Sequence, residues 1–302
     1  MFGTNQIVGQ KYFKDAPTDS LFVTSMFFTL QGEGPYAGMP ALFIRLTKCN
    51  LACSFCDTFF DDGDWMTFEQ IEAKAQETIM KYWSDRSLVI PNWVFRTKPT
   101  MEDIAPGIKK IVGQNVTLVI TGGEPTLQKN LTAFLERQIP IYRHVQIESN
   151  GTVNLEIPKG VTLVCSPKCA EKNGVAVKYL APTKLILERA DCLKFVMNSD
   201  ADSPYNNVPE WVHEWKNSTG KEVYISPMNI YNTFPQKIKL LHAANGSITM
   251  DQRSTVDEVI SFWEEGLLDL PANQRNHEYT AKYCMSHGFR LNLQMHLYAS
   301  LA

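Results

Sequence analysis

Long hydrophobic runs are missing from this 302-residue chain. No stretch approaches the roughly 20 apolar residues that span a bilayer. The opening residues, MFGTNQIVGQKYFKDAPTDS, lack the apolar core of a secretory signal. A surplus of positive charge is missing too: the formal net charge is −3, which argues against broad phosphate-driven binding of nucleic acid. There is no internal repeat and no low-complexity stretch. Seven cysteines are an odd number for a disulfide framework and suit a reducing cytoplasm instead. The remaining composition, 44% hydrophobic and 20% charged, is that of a globular protein with ample material for a core.

Cys49, Cys53 and Cys56 stand in the run CNLACSFCDT. The C-x3-C-x2-C spacing brings three thiolates to one face of a short loop, and no fourth lies nearby. Thiolates suit zinc or iron–sulfur clusters, and a closed structural site of either kind takes four protein ligands. Three ligands imply a cubane with one iron open to a small molecule; the competing reading is a zinc site completed by a distant histidine or cysteine. Cys165, Cys169, Cys192 and Cys284 remain. The pair in CSPKC supplies only two ligands, and Cys165 and Cys192 lie in apolar runs, as buried free cysteines do.

A second motif follows at 116–125, VTLVITGGEP, an apolar β-branched run that breaks into Gly122-Gly123-Glu124-Pro125. It reads as a buried parallel strand ending in a loop with exposed backbone N–H groups, where glycines permit close approach to a ligand. Similar runs at 42–47 (LFIRLT), 117–121 (TLVIT), 145–149 (VQIES), 162–166 (TLVCS), 193–197 (LKFVM) and 223–226 (VYIS) read as parallel strands. Helical patterns at 68–83 and 130–137 lie between them, the first opening on a capping box formed by Thr67 and Gln70. This alternation predicts an α/β fold, a parallel barrel or partial barrel. Cys49, Gly122, Asn150-Gly151 and Pro167-Lys168 each follow a strand, so four strand ends converge on the rim where such folds place their chemistry. Residues 84–115 and 229–252 are irregular and read as surface elaboration, with a lid over the substrate as the functional alternative.

The cysteine triplet and the GGEP loop together resemble the radical S-adenosylmethionine (SAM) superfamily. The segments LQGEGPYAG, FIRL, CNLACSFCDT, TGGEP, ESNGT, SPK and RLNLQMH resemble, more narrowly, the 7-carboxy-7-deazaguanine synthase family. The likeness runs from about Leu21 to the last residues. It implies a partial TIM-like (β/α) barrel of the radical SAM type with family-specific insertions, one domain over 21–302 after an extension at 1–20. It implies a [4Fe–4S] cluster on the three cysteines, whose open iron is chelated by the amino and carboxylate groups of SAM. The reaction implied is a lyase step in 7-deazapurine (queuosine-type) biosynthesis. A 5′-deoxyadenosyl radical takes hydrogen from C6 of 6-carboxy-5,6,7,8-tetrahydropterin, the ring contracts, ammonia leaves, and SAM is regenerated.

The resemblance assigns roles residue by residue. Gly122, Gly123 and Glu124, then Glu148, Ser149 and Asn150, then Ser166 and Lys168, are expected at SAM. Gln31, Glu33, Arg45, Gln294, His296 and the terminal Ala302 are expected at the pterin, and Thr58 at a Mg²⁺ ion. The chemistry fits the types: an arginine clamps a carboxylate with two bonds, and a glutamate accepts from an aminopyrimidine edge. Magnesium takes few protein ligands. Outside the family pattern each has a plainer reading: a solvated arginine, an ordinary QGEG turn, an Asp57-Thr58 cap, a structural histidine. Leu297 departs from the pattern, which often has Lys there. The expected partners are flavodoxin or ferredoxin as electron donor and a second copy in a homodimer, with no membrane and no direct nucleic-acid contact. The rival functions are a radical SAM activase of a glycyl-radical protein and a zinc-stabilised binding module.

Overall fold

The computed structural model describes residues 6–86, 88–96, 113–232 and 268–299. The apolar runs form one nine-stranded sheet. Its strands are β1 (Ser20–Leu30), β2 (Pro40–Leu46), β3 (Asp64–Thr67), β4 (Gln114–Gly122), β5 (Tyr142–Ser149), β6 (Val161–Cys165), β9 (Cys192–Met197), β10 (Glu222–Pro227) and β11 (Arg290–Leu291). The order is β11-β10-β9-β6-β5-β4-β2-β1-β3. From β2 to β11 every neighbouring pair is parallel, while β1 runs antiparallel to β2 and β3. The sheet is open, with β11 and β3 at its edges, as the partial-barrel expectation requires. A separate hairpin joins β7 (Cys169–Lys172) to β8 (Val175–Tyr179).

All six expected strands are present. So are both helices: α1 (Phe68–Ser84) starts on the Thr67–Gln70 capping box, and α2 spans Leu131–Gln138. The shorter α3 (Lys184–Arg189) and α4 (Trp211–Thr219) follow, then α5 (Leu270–His287) and the single turn α6 (Met295–Tyr298). The core lies between the sheet and these helices. Leu42, Ile44, Leu118, Ile120, Val145, Ile147, Leu163, Leu193, Phe195 and Ile225 are all buried there with Phe68, Ile71, Phe134 and Ile186.

Because side chains alternate along a strand, the other face is free to be polar. Thr117, Gln146, Glu148, Lys194 and Ser226 sit on it, out of phase with the apolar set. At the N-terminal end of the strands, Tyr36 fills this concave face, bonding Thr162 at 2.8 Å and stacking on His144. The C-terminal end stays open.

Candidate active site

A cavity of about 260 Å³ occupies that open end. It is lined from the ends of β2, β4, β5, β6, β9 and β10, from the cysteine loop, and from the turn that leads into α6. Cys49, Cys53, Cys56 and Thr58 face it, as do Gly122, Gly123, Glu148, Ser149, Asn150, Ser166 and Lys168. Gln31, Glu33, Arg45, Gln294 and His296 line it as well. Residues separated by up to 265 positions are thus gathered in one space. Ala302 lies outside the described residues, as does most of each irregular stretch. The described part of the second stretch is not surface elaboration, since Asn229 and Tyr231 also line the cavity.

The cysteines fit an iron–sulfur cluster by their chemistry. Burial pushes the Cys53 thiol up to about 11 and that of Cys56 to about 12, and it raises Cys49 further still. Three desolvated thiols ionise together only against compensating positive charge, which bound metal supplies. Among the described residues, no three His, Cys, Asp or Glu side chains converge on a point as a single metal ion requires. Cys165, Cys169, Cys192 and Cys284 are buried free thiols, as expected of Cys165 and Cys192 from their apolar runs.

Gly122 and Gly123 serve the chain itself. A Cβ on Gly122 would strike the backbone of Leu46, and one on Gly123 the carbonyl of Lys48. Gly122 also has φ +123°, which side chains rarely adopt. Their smallness lets Gly123 N donate to Leu46 O (3.0 Å) and Glu124 N to Lys48 O (2.8 Å). The expected close approach is therefore made first to the backbone entering the cysteine loop.

Glu124 does not line the cavity. It is buried beneath the loop, where burial raises its pKa, and it accepts from Thr126 N (3.0 Å), Thr126 Oγ1 (2.6 Å), Ser149 Oγ (2.8 Å) and Asn150 N (2.6 Å). It bolts the GGEP loop to the end of β5. Asn150 continues the chain of bonds, donating to Asn50 of the cysteine loop at 2.9 Å.

The centre of the cavity wall holds a cation missed in the sequence reading. Lys194 Nζ donates to Glu33 Oε2 at 2.8 Å and to Glu148 Oε2 at 2.6 Å. Ser226 Oγ and Asn292 Nδ2 donate to the other oxygen of Glu33, at 3.0 and 3.2 Å. Gln31 and Gln146 donate to Glu148 Oε1 at 3.4 and 3.0 Å. Burial opposes charge on Glu33, yet the Lys194 ammonium holds its carboxyl below the usual range; Lys194 is pushed above its own range by the two carboxylates against the pull of burial. Glu33 and Lys194 therefore face each other as ions at neutral pH. The signal for Lys194 was present: one lysine inside the otherwise apolar LKFVM strand has to point at something.

Lys168 is another cation on the cavity wall. Burial lowers its pKa, and its ammonium donates to Ser166 O (2.7 Å) and Ser166 Oγ (2.6 Å). Arg45 lies over the Phe27 ring, 4.8 Å from its centroid. Thr58 Oγ1 donates to Asp57 Oδ1 at 3.2 Å, and Tyr231 OH donates to Asp57 Oδ2 at 3.4 Å. Gln294 accepts from Asn229 Nδ2. His296 is kept neutral by burial, which lowers its pKa. Leu297, at the departing position, is buried in the packing of α6.

Comparison with known proteins agrees with this geometry. Residues 43–160 match the family model described as Radical SAM superfamily. The 7-carboxy-7-deazaguanine synthase of Methanospirillum hungatei is 32% identical over 225 residues, 74% of this chain and 78% of that one. That of Rhodospirillum rubrum is 30% identical over 69% of this chain and 71% of its own. The chain belongs to the 7-carboxy-7-deazaguanine synthase family. Within this family the enzyme of Rickettsia prowazekii is 27% identical over 100% of this chain and 96% of its own. The crystal structure of QueE from Escherichia coli shares the fold, with a TM-score of 0.50 at 18% identity, covering 96% of this chain and 99% of that one.

Proposed function

We propose that this chain is a radical SAM lyase that converts 6-carboxy-5,6,7,8-tetrahydropterin to 7-carboxy-7-deazaguanine. The observation that carries the reading is a single cavity holding three cysteine thiols opposite the Glu33–Lys194–Glu148 network. Three soft ligands and a polar wall suit a reactive cluster facing a polar heterocycle. Family membership supports the same reading.

Cys49, Cys53 and Cys56 are the residues that would hold the [4Fe–4S] cluster. With SAM bound, the reduced cluster supplies a carbon-centred radical able to take hydrogen from the pterin. The chain's own part is binding, orientation and charge. Gly122, Gly123, Ser149, Asn150, Ser166 and Lys168 form the wall next to the cysteines and are assigned to SAM. Arg45 is assigned to the substrate carboxylate as a bidentate clamp. Glu33, kept ionised by Lys194, offers acceptor oxygen to the donor edge of the aminopyrimidine, and Gln31, Gln294 and His296 border the same space. Glu148 shares the Lys194 proton and so presents a fixed carboxylate beside the reacting ring. Thr58, with Asp57 beside it, is assigned to Mg²⁺ held between protein and substrate carboxylate. The terminal carboxylate of Ala302 is assigned to the pterin amino group.

We further propose a small acidic carrier such as flavodoxin or ferredoxin as reductant, a homodimeric assembly, and a cytoplasmic setting. Among the described residues no helix is long and apolar enough to cross a membrane. The test is anaerobic reconstitution with iron and sulfide, then a dithionite-driven assay with SAM and 6-carboxytetrahydropterin read by mass spectrometry. Formation of 7-carboxy-7-deazaguanine, lost in Cys53→Ala, establishes the reaction. SAM cleavage without that product would reject the substrate, and a colourless, zinc-loaded protein would reject the class.

A further inference from the structure

Among the described residues, three non-glycines have positive φ: Asp19, Asn173 and Lys48. Asp and Asn tolerate the left-handed region because their short polar side chains bond locally; lysine has no such help. Lys48, with φ +67°, immediately precedes the first cluster cysteine and is buried. A strained residue at such a place persists only where its surroundings over-determine it.

The surroundings do so here. Lys48 N donates to Phe60 O at 2.7 Å, which joins the two ends of the cysteine loop. Its ammonium donates to Asp61 O (2.7 Å), Asp61 Oδ1 (2.6 Å) and Gln6 Oε1 (3.2 Å). Its carbonyl accepts from Glu124 N at 2.8 Å. The residues before β1 complete the closure. Val8 N donates to Cys49 O at 2.8 Å, Ile7 pairs with Cys49 in a parallel bridge, and Gln6 N donates to Asp61 Oδ1 at 2.9 Å. Lys48, Asp61 and residues 6–8 do not line the cavity.

We propose that Lys48 is a positioning residue for the iron–sulfur cluster: with Asp61 and residues 6–8 it clamps the cysteine loop shut in the metal-free protein. The three thiols are then presented before iron and sulfide arrive, and the entropy of closing the loop is not charged to cluster binding. The residues preceding the barrel thereby acquire a function, as a strap across the outside of the loop.

The inference rests on the cluster reading above, but its first measurement does not. Amide hydrogen exchange on the metal-free protein would compare wild type with Lys48→Met, Lys48→Gly and Asp61→Ala. Exchange in peptides covering 50–59 should accelerate about tenfold or more in all three, while peptides from β5 and β9 stay unchanged, since opening is local. A general loss of stability would instead move both sets. Lys48→Gly relieves the left-handed backbone without restoring the ammonium, so slow exchange in that variant would overturn the clamp. Unchanged 50–59 exchange in Asp61→Ala would also overturn it, and that variant keeps the test alive if Lys48→Met does not fold. After anaerobic reconstitution, the variants should lose iron to a chelator roughly fivefold faster than wild type. Faster loop exchange in a protein that takes up no cluster would leave the clamp standing and reject the cluster reading alone.

Discussion

Lys194 and Glu33 meet at 2.8 Å although 161 residues separate them in the chain. The same ammonium reaches Glu148 at 2.6 Å, so one buried cation fixes two carboxylates on the cavity wall. Lys194→Met would leave both carboxylates without their counter-charge. Breaking such a buried network costs about 3–5 kcal/mol. Denaturant unfolding should show a loss of that size, partly restored in Lys194→Met with Glu33→Gln. Coupling between the two substitutions is the readout, since independent sites would simply add.

Acid acts on the same pair. Glu33 has a depressed pKa in the fold, so its contribution to stability is complete above the ordinary carboxylate value of about 4.3 and is lost as pH falls through the lower folded value. Lys194 is raised, so its contribution is complete below about 10.4 and fades only at still higher pH. The stability difference between wild type and Glu33→Gln should therefore be flat around neutrality. It should shrink below about pH 4, measured by unfolding at a series of pH values.

The ring of His296 packs where a side chain on Gly32 would stand. Gly32→Ala should displace that ring from the cavity while leaving the core intact. Substrate affinity is expected to fall about tenfold or more, with unchanged iron content and little change in Tm, read by substrate titration of the reconstituted enzyme. Equal affinity in the variant would remove His296 from the substrate wall.

The Glu124 carboxyl group accepts four hydrogen bonds. Glu124→Gln keeps the shape but turns an N–H donor toward Asn150 N. The orphaned groups should cost about 1–3 kcal/mol, measured as a shift in denaturation midpoint. A neutral effect would show that the carboxyl is already protonated and donating.

Gly123→Ala drives a methyl into the carbonyl of Lys48. The GGEP loop and the entry to the cysteine loop should separate, and cluster content per chain should drop well below that of wild type after identical reconstitution. Circular dichroism separates this from global unfolding.

Much of the frame was legible in sequence because six strands are buried on both faces and read as short continuous β-branched runs. Strand β1 was not read, although it is eleven residues long and almost wholly buried. A strand covered on both sides shows no alternation, and SLFVTSMFFTL looks equally like part of a buried helix. The hairpin β7–β8 escaped because strands of four and five residues are too short for a pattern to register.

The sequence by itself determined the strand-end placement of the motifs and the family, since these depend on residue type at short spacing. Only the tertiary structure decided which groups share charge and which merely brace the site. Glu124, grouped by motif with the SAM residues, turned inward to bolt two loops together. Lys194, silent in the motifs, became the centre of the wall. Asn229 and Tyr231 joined the cavity lining from an irregular segment, and Asn292 reached Glu33 from an unassigned position of RLNLQMH. The reason is physical: a buried charge is stable only beside its partners, and partners from distant parts of the chain are assigned when the sheet brings its strand ends together.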